Sequence, residues 1–150
     1  IRFAATSGAL RVLDVGCGTG NLCIALAQDP EIVSVCGLDI APAYVEFANR
    51  RIDDSRVKCQ VGNACALPFP DASFDHTVSM LVLQFVPQAD LAVREMRRVT
   101  RGRIVLLTFD PSHRPWLTDY LPELAALDEA QMPAIAEMIV AVAIVNANCL

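Results

Sequence analysis

The sequence predicts an α/β domain on a doubly wound, mostly parallel sheet, and three observations carry that prediction. Short runs rich in β-branched residues and leucine alternate with segments of helical spacing through the first two thirds of the chain. Most of these runs are continuously apolar, as expected of strands covered on both faces. The turn after the first run is Gly16-Cys17-Gly18-Thr19-Gly20, a glycine cluster placed where a strand hands over to a helix.

Residues 11–15 (RVLDV) read as the first buried strand. Residues 19–28 (TGNLCIALAQ) follow as a helix, with Leu22, Ala25, Leu26 and Asp29 at helical spacing and Asp29-Pro30 closing it. Residues 32–38 (IVSVCGL) form a second strand ending in Asp39, and 42–51 (PAYVEFANRR) a second helix with proline in its first turn. Residues 57–61 (VKCQV) alternate like a third strand. A loop over 68–75 (PFPDASFD) leads to a fourth strand near 76–81 (HTVSML). Residues 89–99 (ADLAVREMRRV) are amphipathic, with Leu91, Met96 and Val99 inward and Arg94, Arg97 and Arg98 on a solvated face. Residues 103–109 (RIVLLTF) make a fifth strand. Beyond Asp110, Trp116, Leu117, Tyr120, Leu121, Leu124 and Leu127 keep helical spacing, and the 139–145 run suits either a helix or a sixth strand.

Composition narrows the function. One domain of 150 residues, 54% hydrophobic and 19% charged, has ample material for a core. Its formal net charge of −5 supplies no general basic field for a nucleic-acid backbone. The most apolar stretch, MIVAVAIV at 138–145, is far shorter than the ~20 residues of a membrane helix. No charged start and cleavage site of a signal peptide is visible, so a cytoplasmic location is expected. Six cysteines (Cys17, Cys23, Cys36, Cys59, Cys65 and Cys149) stand mostly in apolar runs without a CxxC pair, and His76 and His113 lie far from them. They read as buried free thiols in a reducing compartment, with no metal expected.

Ligands on parallel sheets bind outside the carboxyl ends of the strands. The unusual residues collect there: Gly16 to Gly20, Asp39, Gly62-Asn63-Ala64, and the segment from Ser79 to Gln84. The glycines run G-x-G-x-G. A dinucleotide site wants a third glycine three positions after Gly18, where Asn21 stands instead, so an NAD-dependent oxidoreductase is disfavoured. Asp39, nineteen residues after Gly20, can accept hydrogen bonds from vicinal ribose hydroxyls or cap the following helix.

The segments VLDVGCGTGNL, GLDIAPAYVEFANRR, VGNACALPFPDASFD and EMRRVTRGRIVLLTF together resemble, in order and spacing, the class I S-adenosylmethionine-dependent methyltransferases. They look most like the small-molecule branch that contains the ubiquinone and menaquinone C-methyltransferases. The resemblance implies a Rossmann-like sheet of strand order 3-2-1-4-5, with S-adenosyl-L-methionine as cofactor and a small-molecule methyl acceptor as partner. It implies that Gly16, Cys17, Gly18 and Gly20 lay backbone against the methionine part, with Asp14 fixing that loop or receiving the cofactor's ammonium group. Asp39 would bind the ribose, Ile40 would pack on the adenine, and Met80 would complete the set at the end of the fourth strand. Asn63 and Ala64 stand where the family usually has Asp-Ala at the adenine edge, so a negative charge is missing there.

Methyl transfer from a sulfonium is an in-line displacement with an activated leaving group. Alignment and water exclusion, worth up to ~7–11 kcal/mol, are the protein's main task, and no catalytic residue is assigned. Gln84 stands where relatives often have histidine. An amide cannot act as a base, so Gln84 is a candidate only for orienting substrate. Ser79 is a further polar side chain there, His76 reads as structural, and His113 as a polar loop residue. The (Asp/Asn)-Pro-Pro-(Tyr/Phe) signature of many nucleic-acid and protein N-methyltransferases is missing.

Two departures stand out. Relatives carry covering helices before the first strand, and they close the sheet with two further strands, the last antiparallel. Here those final strands are expected to be absent or incomplete, with 111–150 an irregular helical tail, as in a fragment or shortened form. The fifth strand would then be an open edge prone to association. A non-catalytic adenosyl-binding or interaction domain is the alternative reading.

Overall fold

The computed structural model describes residues 9–108 and 141–146. Its elements in chain order are β1 (Leu10–Val15), α1 (Asn21–Ala27), β2 (Ile32–Asp39), α2 (Pro42–Arg51), β3 (Val57–Val61), β4 (Phe74–Met80), α3 (Ala89–Val99), β5 (Thr100–Thr108) and β6 (Ala141–Asn146), with one 3-10 turn, Leu83–Phe85, after β4. They form one sheet of order β3-β2-β1-β4-β5-β6. All pairings are parallel except β5 with β6. The expected 3-2-1-4-5 order is therefore present.

Two apolar clusters cover the two faces of the sheet. On one, Val12, Val35, Val57 and Val78 meet Cys23, Leu26 and Ala27 of α1 and Val45 and Ala48 of α2. On the other, Leu13, Val15, Leu38 and Ile104 meet Ala92, Met96 and Val99 of α3, with Leu67 and Phe74 beside them. The period-2 alternation of β1 sends Val12 and Asp14 to the first face and Leu13 and Val15 to the second. Local signals agree with the helices: Pro42 opens α2, and α3 carries Asp90 in its first turn and Arg97 and Arg98 in its last, matching the helix dipole.

The structure corrects several expectations. Ala25 and Leu91 are exposed, while Cys23, Ala27 and Ala92 are buried, because each helix is rotated by about one residue about its axis relative to the expected face. Arg98 is not on a solvated face. Its guanidinium donates to the carbonyls of Leu67 (3.0 Å) and Phe69 (2.8 Å), and pairs with Asp71 and Glu95. Glu95 in turn accepts the Leu67 N–H at 2.8 Å, so this pair sews the loop between β3 and β4 onto α3. Residues 141–146 are a strand rather than helical tail, and β6 pairs along β5 from Arg103 to Thr108. β5 is consequently an interior strand and offers no open edge for association. His113 and the helical spacing from Trp116 to Leu127 lie outside the described residues. Among the described residues no helix is long and apolar enough to cross a membrane.

Candidate functional site

β1 is flanked by β2 and β4, and the connections after β1 and β4 leave toward opposite sides of the sheet. Such a switch point opens a crevice at the carboxyl ends of the strands. A cavity of about 290 Å³ lies there, lined among others by Gly16, Leu38, Asp39, Ile40, Gly62, Asn63, Ala64, Val82 and Phe85. Its size is at the small end of the range for ligand pockets.

The floor is built from backbone. The N–H groups of Gly16 and Cys17 both donate to the Leu38 carbonyl, at 2.7 and 3.1 Å, which stitches the loop after β1 to the end of β2. Gly16 has φ +80°, and a Cβ there would stand 2.1 Å from Cγ2 of Val82. No other residue fits this contact. Gly18, at φ +52°, has open space around it, since a Cβ would meet nothing within 4 Å.

Asp39 is the hinge of the site. Its Oδ2 accepts the Gly18 N–H at 2.8 Å and its Oδ1 accepts the Ala41 N–H at 2.9 Å. It does not cap α2, whose first residue follows Ala41 without a side-chain cap. Each carboxylate oxygen still has acceptor capacity. The Asp39 carbonyl receives the Gly62 N–H at 2.9 Å, bringing Asn63 to the same rim. The Asn63 side-chain oxygen accepts the Cys65 N–H at 2.9 Å, which leaves it a single lone pair for a ligand.

The opposite wall comes from the exit of β4. Leu81 holds φ +58°, unusual for a branched side chain, and donates its N–H to Leu107 at 2.6 Å. That turn aims Val82 at Gly16. Ile40 and Phe85 are 71% and 72% exposed, two large apolar side chains left uncovered at the rim.

Of the residues singled out from sequence, Gly16, Asp39, Ile40, Asn63 and Ala64 line the cavity, whereas Asp14, Cys17, Gly18, Gly20, Met80 and Gln84 do not. Gln84 lies half-buried in the 3-10 turn whose neighbours Phe85 and Val86 do line it. Ser79 donates to the Val15 carbonyl at 2.9 Å in the interior. His76 is buried and its Nδ1 accepts the Arg103 N–H at 3.0 Å, and burial draws its pKa down. Gly62 and Val82 lie in the segments that the sequence marked at the strand ends, whereas Phe85 was missed by sequence reasoning. Val82 and Phe85 sit in the apolar run LVLQFV, which looks like core; its position after a strand end marked it as far as Gln84, one residue short of Phe85.

Asp14 is 2% exposed and points beneath the loop, where its Oδ2 accepts the Cys23 thiol at 3.3 Å. Desolvation pushes its pKa up to about 7, with Cys59 and Asp39 adding to the rise and the Cys23 hydrogen bond opposing it. The sulfurs of Cys17, Cys23 and Cys59 all lie within 4.8 Å of one another beside it. Spacings of six and 36 residues hid this cluster from sequence reasoning.

Comparison with known proteins gives the same answer from a different direction. The methyltransferase domain family matches residues 13–106. The chain is 34% identical over 120 residues to the ubiquinone/menaquinone biosynthesis C-methyltransferase of Citrifermentans bemidjiense, an alignment covering 75% of this chain and 51% of that relative. It is 38% identical over 104 residues to the malonyl-[acyl-carrier protein] O-methyltransferase of Halorhodospira halophila, covering 67% of this chain and 35% of the relative. Among solved structures, the [4+2]-cyclase SpnF superposes with a TM-score of 0.62 at 31% identity, over 69% of this chain and 40% of that one. The chain thus spans about half or less of the relatives it matches.

Proposed function

The chain belongs to the methyltransferase domain family, and on that premise we propose that it binds S-adenosyl-L-methionine at the Gly16–Asp39 crevice and directs its methyl group to a small-molecule acceptor. The observation that carries this reading is the Asp39 carboxylate. It is held by two backbone N–H groups and keeps acceptor capacity toward the cavity, as binding of a ribose diol requires.

The remaining residues fit the same ligand. The open space over Gly18 admits close approach of a ligand to backbone. Ile40, exposed beside Asp39, offers an apolar face for a purine ring, and Asn63 with Ala64 stands at the edge that ring would present. Asp14, turned toward the thiols, supports the loop from below rather than receiving an ammonium group. S-adenosylmethionine, when bound, supplies a methyl on a cationic sulfur that an acceptor atom can displace in line. The chain's own contribution is to hold the cofactor's donor end still and exclude water from it, with Val82, Phe85 and Val86 as the apolar wall. A C-methyltransferase and an O-methyltransferase share this half of the fold. Acceptor choice therefore belongs to parts of the protein beyond the crevice, and a [4+2]-cyclase on the same scaffold makes a turnover assay necessary.

The test is calorimetric titration with S-adenosylhomocysteine beside NAD. Micromolar binding of the former alone supports the reading; binding of neither to the folded chain, or of NAD alone, overturns it. Transfer of a labelled methyl group to quinol and carboxylic acid acceptors then separates an enzyme from a binding domain.

A further inference from the structure

We infer that Cys17, Cys23, Cys59 and Asp14 form a binding site for one thiophilic divalent cation, zinc by its chemistry, beneath the glycine loop. Asp14, Gly37 and Cys59 stand in one row across β1, β2 and β3, since Asp14 pairs with Gly37 and Gly37 with Cys59. In a pleated sheet, residues in one such row point to the same face. Above that row α1 brings Cys23, and the loop brings Cys17.

Gly37 makes the arrangement possible. A Cβ there would stand 2.8 Å from the sulfurs of both Cys17 and Cys59, so the missing side chain is the space the two sulfurs occupy. The three sulfurs lie within 4.8 Å of one another. Sulfurs sharing a tetrahedral zinc at 2.3 Å are about 3.8 Å apart, so a small contraction completes three corners. Asp14, whose Oδ2 stands 3.3 Å from the Cys23 sulfur but outside the mutual reach of the three thiols, would move inward to supply the fourth.

The second observation is the carboxylate itself. Asp14 is almost wholly buried, and the one hydrogen bond it accepts among the described residues comes from a thiol, a weak donor. No Arg or Lys stands against it there. Buried carboxylates are normally paired or bound to metal, and a cation among the three thiols would give this one a charged partner. Coordination would displace the thiol protons into the buffer, so affinity rises with pH. Because Cys17 lies between Gly16 and Gly18, the ion would brace the loop from its underside.

The experiment titrates the reduced, metal-free chain with Co²⁺ as a spectroscopic stand-in, then with Zn²⁺. Expected are thiolate-to-cobalt charge-transfer and tetrahedral ligand-field bands that saturate at one equivalent and vanish as Zn²⁺ displaces the colour. Cys36→Ser, outside the cluster, should leave the bands unchanged. Cys23→Ala and Cys59→Ser should abolish or shift them, and Asp14→Asn should keep the charge-transfer band while weakening Zn²⁺ at least tenfold. Absence of a charge-transfer band in the folded wild-type chain overturns the inference, whatever the variants do. So does equal loss of the band in Cys36→Ser. Cofactor binding plays no part in the readout, so this test stands apart from that of the crevice.

Discussion

Asp39 on β2 accepts the N–H of Gly18 at 2.8 Å, tying the glycine loop after β1 to the end of the neighbouring strand. One carboxylate thereby sets the loop's position and, in the proposed function, reads the ribose.

Asp39→Ala removes both roles and should weaken S-adenosylhomocysteine by about 10- to 100-fold, or ~1–3 kcal/mol. Asp39→Asn should fall between, since an amide keeps one acceptor and cannot satisfy both Gly18 and Ala41. Calorimetry reads the outcome. Affinity unchanged in Asp39→Ala would remove Asp39 from the site.

Gly16→Ala places a methyl 2.1 Å from Cγ2 of Val82 at φ +80°. Overpacking and left-handed strain together should cost on the order of 2–4 kcal/mol. Val82→Ala in the same chain should restore part of the loss, as it removes the nearest atoms but not the strain. Urea unfolding of the single and double variants checks this, and strictly additive losses would refute the contact.

Asp14 confers a pH dependence whose sign is fixed by its raised pKa. Between the ordinary value of 3.8 and about 7, the folded chain keeps a proton that the unfolded chain has released. Folded-state proton binding exceeds that of the unfolded state across this window, so stability falls as pH rises through it. The full shift corresponds to roughly 4 kcal/mol, an upper figure. Cys23, Cys59 and Asp39 are the titratable groups acting on it. Asp14→Asn should flatten the slope in chelator-treated protein unfolded at pH 4.5, 6 and 8; a variant as steep as wild type would assign the titration elsewhere.

Arg98→Ala should release the loop between β3 and β4 from α3, freeing the carbonyls of Leu67 and Phe69 and leaving Glu95 without its guanidinium. A loss of about 1–3 kcal/mol is expected. Arg98→Lys should recover little, because an ammonium cannot span the same set of acceptors. Amide exchange of Leu67 should rise in both variants, whereas a purely solvated arginine would leave it unchanged.

Much of the fold could be read directly because its signals are local. α2, β3 and α3 have the boundaries their spacing predicts, and Pro42, Asp90 and Arg97 mark helix ends by short-range electrostatics and backbone geometry. The glycine spacing, Asp39 and Asn63 marked the crevice for the same reason: turn and strand-end positions demand particular residue types. β6 was ambiguous because the apolar run 139–145, rich in β-branched residues, satisfies either period until a neighbouring strand claims it.

The sequence by itself determined the alternation of strands and helices and the place of the glycine turn, since each depends on residues close together in the chain; the strand order came from the resemblance of its motifs to a known family. Only the tertiary structure decided that Val82 closes on Gly16, that Arg98 fastens a loop, and that three thiols meet beside Gly37 with one of them against Asp14. Those contacts depend on strand register and helix rotation. Both are settled by packing across the whole sheet and leave no periodic mark in the chain.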